Sequence, residues 1–113
     1  MIDSHCHLNF ESLSKDLHNI IKRCEENGIT KILSINTKPD EFKNHLDLIR
    51  DYKNVYISYG IHPQEVTNES YLSLHDIEKY IYNSKLLALG ETGLDFYYSI
   101  QNKKKQIEVF KAH

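Results

Sequence analysis

The residues best suited to chemistry begin with His5-Cys6-His7. On an extended strand, residues two apart project to the same face, so both imidazoles can converge on one metal ion. Asp3 lies on that face one step earlier, where a carboxylate can orient a ligand imidazole through its second nitrogen. Cys6 faces the other way and reads as a small buried hydrophobe. An isolated His-x-His is more often a pair of surface histidines beside a loop, so a third donor decides the matter. Glu91, in Gly90-Glu91-Thr92-Gly93-Leu94-Asp95, supplies one. Two imidazoles and a carboxylate make a hard divalent-metal site, and a carboxylate can also bridge two ions. The competing reading of Glu91 is a loop acid capping a helix, an objection that weighs more on Asp95. His62, in Gly60-Ile61-His62-Pro63, is an imidazole able to donate to a phosphate or act as an acid, with Pro63 fixing the backbone after it. Phe96-Tyr97-Tyr98 could stack on bases, although core or rim packing is the stronger expectation. Lys103-Lys104-Lys105 reads as a solvated helix face before it reads as a phosphate contact. His18, His45 and His75 fall within helical stretches, with no partner residue to give them a role.

Four short apolar segments must position these groups: Met1 to Ser4, Ile32 to Ile35, Val55 to Tyr59 and Leu86 to Leu89. Their β-branched and aromatic content predicts strands, the third closing on Gly60 and the fourth on Gly90. Gly28 reads as the stop of the helix before the second strand. Leu13, Leu17, Ile20, Ile21 and Cys24 form one helical stripe. Thr37-Lys38-Pro39-Asp40 has the form of a capping box, with Phe42, Leu46 and Ile49 behind it at helical spacing. Ser73 to Asp76 repeats the capping pattern ahead of Leu74, Ile77 and Ile81. Ile107 and Phe110 share a face of a last helix expected to begin near Ser99. The order βαβαβαβα predicts a parallel sheet with right-handed crossovers, covered on its faces by helices. A small open α/β sheet and part of a (β/α)8 barrel both satisfy it. In either, the C-terminal ends of the strands share one rim where function gathers, so His5, His7, His62 and Glu91 belong together.

At 113 residues the chain, residues 1–113, is one small domain. With only 4 Gly and 2 Pro and 40% hydrophobic residues, it is neither collagen-like nor disordered. Fourteen basic against sixteen acidic residues leave a formal charge of −2, so contact with nucleic acid requires a local patch rather than a global field. The longest uninterrupted apolar run, Leu86 to Leu89, is far short of a membrane span. Met1-Ile2-Asp3-Ser4 opens without a charged or apolar targeting region, and Cys6 and Cys24 are too few for a disulfide scaffold. A cytoplasmic location is the simplest expectation.

Ile2-Asp3-Ser4-His5-Cys6-His7-Leu8, Gly60-Ile61-His62-Pro63 and Gly90-Glu91-Thr92-Gly93-Leu94-Asp95-Phe96-Tyr97, taken in series, resemble the TatD family of metal-dependent deoxyribonucleases. Gln106 and Phe110 resemble the family's next pattern. The resemblance implies a (β/α)8 TIM-type barrel, two divalent cations per complete enzyme, and hydrolysis of DNA phosphodiester bonds. It matches His5 and His7 to the first-strand metal ligands and Glu91 to a ligand shared by both ions. His62 and Asp95 match positions near the active site, as catalytic or substrate-binding candidates. Mg²⁺, Mn²⁺ and Zn²⁺ are not distinguished. In this chemistry the ions polarise the phosphoryl oxygen and lower the pKa of an attacking water.

The departure from the family is equally clear. Members carry two further metal-binding histidines and an aspartate on later strands, whereas this sequence runs to Lys111-Ala112-His113. A barrel needs about 250 residues, and four βα units are half of one. The expectation is the N-terminal half of a TatD-type hydrolase barrel, truncated, pairing as a homo-oligomer or with a missing C-terminal half. A catalytically inactive remnant that binds metal or a partner is the alternative. An amidohydrolase-type barrel is disfavoured, because many of those resemble a pattern with a metal-bridging Lys where this chain has Glu91.

Overall fold

The computed structural model describes residues 1–98 and 102–113. Four strands, β1 (Ile2–Cys6), β2 (Lys31–Ser34), β3 (Val55–Tyr59) and β4 (Leu86–Leu89), form one sheet in sequence order, every pair parallel. The helices are α1 (Glu11–Ser14), α2 (Leu17–Glu26), α3 (Phe42–Ile49), α4 (Leu74–Tyr80) and α5 (Lys103–Ala112). Consecutive neighbours in a parallel sheet with helical crossovers are barrel order, so the fold is four βα units of a (β/α)8 barrel.

The core lies between the sheet and the helices. Leu17 and Ile21 of α2, Phe42 and Ile49 of α3 and Ile77 of α4 close over Ile32, Val55, Ile57 and Tyr59. Phe42 is fully enclosed and meets Tyr59 edge-on, with ring centroids 4.8 Å apart. Burying such a side chain stabilises the fold by roughly 1.5–3 kcal/mol. The α2 terminus is set by Gly28 at φ +78°, where the N–H groups of Gly28 and Ile29 return to the carbonyls of Glu25 and Cys24. Ser73 caps α4, its Oγ accepting from the Asp76 N–H at 3.3 Å.

Several local expectations are corrected. β1 runs on to Cys6 with a register shift between Asp3 and Cys6, so His5 lies within the strand rather than after it. The stripe from Leu13 to Cys24 is carried by two helices, because Asp16 leaves helical geometry at φ −124°, ψ 26°. Thr37 caps nothing; Pro39–Glu41 is a 3₁₀ turn that hands over to α3 without a side-chain cap. On α4 only Ile77 is buried, while Leu74 is 71% exposed and Ile81 57%. The reason is position: β4 is a sheet edge, so among the described residues no further strand or helix flanks α4 on that side. On α5 the buried residues are Gln106 and Val109, with Phe110 exposed, since the helix docks on the rim loops rather than on the sheet. The expected helix start near Ser99 lies outside the described residues. No helix among the described residues is long and apolar enough to cross a membrane.

Candidate metal centre

The rim at the strand C-termini brings three donor residues together. His5, His7 and Glu91 each offer a ligand atom, all within 4.8 Å of one another. Glu91 Oε2 stands 3.5 Å from His5 Nε2 and 3.9 Å from His7 Nε2. His62 joins from the other side, its Nε2 3.7 Å from Glu91 Oε1.

Each group is held by backbone. His7 Nδ1 lies 3.1 Å from the Ile35 carbonyl, and only an N–H can approach it there, so Nε2 keeps its lone pair for the site. The Phe10 ring stacks on the His7 imidazole at 4.8 Å and 11°. Glu91 donates its backbone N–H to the Asn36 carbonyl (3.3 Å), and Gly90 donates to Tyr59 (2.8 Å). His62 is fixed differently: its Nδ1 accepts the Gln64 N–H at 3.2 Å, which leaves the proton of the neutral ring on Nε2, aimed at Glu91. His7 thus presents a lone pair to the site and His62 a donor.

Donors 2.0–2.2 Å from one ion lie roughly 3–3.6 Å apart in tetrahedral or octahedral arrangements. The observed 3.5 and 3.9 Å from Glu91 lie close to that range, and all three donors fall within 4.8 Å of one another. The donor set of two imidazoles and one carboxylate suits a divalent transition metal or Zn²⁺. Asn9 Oδ1, in the groove beside His7, is buried without a hydrogen-bond partner among the described residues, a cost that an ion's water could relieve. The residues fit a divalent cation.

Two of the sequence-expected groups stand off from this cluster. Asp3 Oδ1 accepts the backbone N–H of His5 at 3.0 Å, so it braces the strand instead of orienting an imidazole through its ring nitrogen. The carboxylate turns back on its own strand, where the N–H two residues on captures it. Asp95 accepts from the Gln64 side-chain amide at 2.8 Å. That contact, with the backbone N–H groups of Tyr97 and Tyr98, holds its carboxyl below the usual carboxylate range. Gln106, buried on α5, clamps both the N–H and the C=O of Asp95. Asp95 thereby fixes Gln64, and Gln64 fixes His62. Lys38, which lines the groove, is paired with Glu65 at 3.1 Å and Glu41 at 3.6 Å.

Tyr97 is 87% and Tyr98 73% exposed, so the expectation that they pack into core or rim fails. Phe96 is partly covered, by the Lys103 ammonium 4.9 Å above its ring. Ser34, Ile35, Asn36, Gln64 and His45 were invisible as functional candidates. The strand-end argument applied to β2 would have found the first three.

Two predictions arise here. A Cβ at Gly60 would lie 2.5 Å from the Gly90 carbonyl carbon and 2.7 Å from its Cα, both backbone atoms. Gly60→Ala must therefore push β3 and β4 apart at the rim, costing about 1–3 kcal/mol in urea unfolding and weakening Mn²⁺ binding. The second concerns His45, whose burial, with His7's charge adding, pulls its pKa down to about 4 from an ordinary 6.5. Between those values the unfolded chain binds the extra proton and the folded chain does not. Stability is therefore full above pH 6.5 and falls as pH drops towards 4, by about 3 kcal/mol in all. Urea midpoints across that window, with His45→Gln as the flatter control, measure it.

A half-barrel with a divalent-metal donor set on its strand-end rim has the architecture of a metal-dependent barrel hydrolase. The comparisons with known proteins agree. The chain belongs to the TatD related DNase family, which matches residues 2–113. It is 34% identical over 116 residues to an uncharacterized metal-dependent hydrolase of Buchnera aphidicola, covering all of this chain and 43% of that protein. The Escherichia coli K12 metal-dependent hydrolase YcfH, also uncharacterized, gives the same identity and coverage. Among solved structures, the TatD homolog YjjV of Escherichia coli superposes with a TM-score of 0.86 at 28% identity, over 99% of this chain and 44% of that one. The chain spans less than half the length of these relatives.

Proposed function

We propose that this chain is the N-terminal half of a metal-dependent hydrolase that cleaves DNA phosphodiester bonds. The convergence of His5, His7 and Glu91 within 4.8 Å carries this reading. The family, described as TatD related DNase, supplies the substrate class. A bound divalent cation supplies Lewis acidity toward a phosphoryl oxygen and acidifies water. His5, His7 and Glu91 would hold it. The Nε2–H of His62, 3.7 Å from Glu91 Oε1, is placed to donate to a phosphate oxygen of a bound substrate. Asp95 keeps that donor aimed through Gln64.

The second reading, a half-subunit that binds metal and requires a partner, is favoured by the open sheet. Leu87 is 63% and Leu89 45% exposed on β4, and β1 and β4 each have one unpaired edge among the described residues. The remaining βα units of a barrel, from a further segment or a second subunit, cover this face. Mn²⁺ titration calorimetry on residues 1–113 tests the site. One ion bound, and lost in His5→Ala and His7→Ala, is the expected result; no binding overturns the reading.

A further inference from the structure

Beneath the rim, a residue with no place in the cluster touches the side chains of Ser34 and Asn36, two residues that hold the backbone at Leu8 and Glu91. His45, on α3, is 2% exposed, and both ring nitrogens face polar atoms. Nε2 lies 2.7 Å from Ser34 Oγ, and Nδ1 3.4 Å from Asn36 Oδ1. Ser34 and Asn36 flank Ile35, whose carbonyl receives the His7 ring N–H. Ser34 Oγ accepts the N–H of Leu8, the residue after His7, at 3.0 Å. The Asn36 carbonyl accepts the N–H of Glu91.

The donors and acceptors admit one arrangement. Asn36 Nδ2 donates to the Lys38 carbonyl at 2.7 Å, so Oδ1 is the atom facing His45 and needs a proton from Nδ1. Nε2 is then bare and accepts from the Ser34 hydroxyl, whose oxygen keeps a lone pair for the Leu8 N–H. The opposite tautomer would set a bare Nδ1 against Asn36 Oδ1, acceptor against acceptor, in a buried place cut off from the solvent that would make up the lost bond.

We infer that His45 is a positioning residue: as a neutral Nδ1–H imidazole it locks Ser34 and Asn36, and through them the backbone that carries His7 and Glu91. Its consequence for metal rests on the site proposed above; its geometry does not. Space-filling alone would be satisfied by a phenylalanine. Positioning requires one donor and one acceptor, set on opposite sides of the ring.

Nitrogen-15 histidine NMR of residues 1–113 reads the tautomer directly. Protonated Nδ1 with bare Nε2 is expected, and the reverse overturns the inference. His45→Phe and Ser34→Ala are then compared with the parent by circular dichroism, amide hydrogen exchange and Mn²⁺ calorimetry. Expected are an unchanged helical signal, exchange at Leu8 faster by about tenfold in both and at Glu91 in His45→Phe, and Mn²⁺ affinity lower by about 10–100-fold. His45→Gln, with a donor and an acceptor, recovers part of both losses. Ser34→Ala deletes one hydroxyl and carries the test if His45→Phe does not fold. Exchange at Leu8 unchanged in the folded variants overturns the inference. Faster exchange in a protein whose parent binds no Mn²⁺ upholds the positioning and removes the metal site instead.

Discussion

Glu91→Ala is expected to remove Mn²⁺ binding by residues 1–113 almost entirely, a loss of at least about a hundredfold, beyond the roughly 10–100-fold that outer partners of a ligand cost. Glu91 is the sole carboxylate of the cluster, and it faces three imidazoles at 3.5, 3.9 and 3.7 Å. Without it, two neutral nitrogens remain, and nothing in the cluster offsets the charge of a divalent ion. The fold should be spared, because Glu91 is anchored by its main chain: its N–H bonds to Asn36, and alanine keeps that bond. Calorimetry on Glu91→Ala and Glu91→Gln, with circular dichroism as the folding control, measures the loss. An alanine variant that binds Mn²⁺ within tenfold of the parent would show that the two histidines suffice.

The second large effect is on turnover. Residues 1–113 alone should hydrolyse single-stranded DNA very poorly with Mg²⁺ or Mn²⁺, while fusion to the C-terminal half of a relative such as YcfH should raise the rate by at least about a thousandfold. Two-ion catalysis needs both cations some 3.5–4 Å apart, clamping the attacking and leaving oxygens. The described residues provide one donor cluster. Misplacement of about 1 Å already costs ~10²-fold, and a sheet with two open edges restrains the rim less than a closed barrel does. A fluorescent DNA assay compares the chain with the fusion, each carrying His5→Ala or Glu91→Ala as the blank. Turnover by residues 1–113 at ordinary enzyme rates, abolished by both substitutions, would mean that four βα units are enough.

The strands were readable because they are short β-branched or apolar runs, two of them stopped by glycines at the rim, Gly60 and Gly90. Parallel order then places every strand end on one side, which is why His5, His7, His62 and Glu91 could be grouped without coordinates. What escaped was whatever depends on a partner rather than on a period. The α4 stripe of Leu74, Ile77 and Ile81 is periodic, yet periodicity cannot tell that β4 is an edge. His45 is a lone histidine in an amphipathic helix, and its partners Ser34 and Asn36 come from another element. Asp3 has the right face and spacing, but a nearer N–H captures it. Asp95 meets Gln64, a residue with no signature of its own.

The approach of Gly60 to Gly90 has a use for protein engineering. Because β3 and β4 meet there through main chain alone, the spacing between the His62 and Glu91 segments is set by peptide atoms rather than by any side chain. Groove-lining positions such as Phe10, Lys38 and Glu41 can therefore be randomised in a library to retune what the groove admits, with the His62-to-Glu91 ruler left intact. Positions 60 and 90 are the two to leave out of such a library.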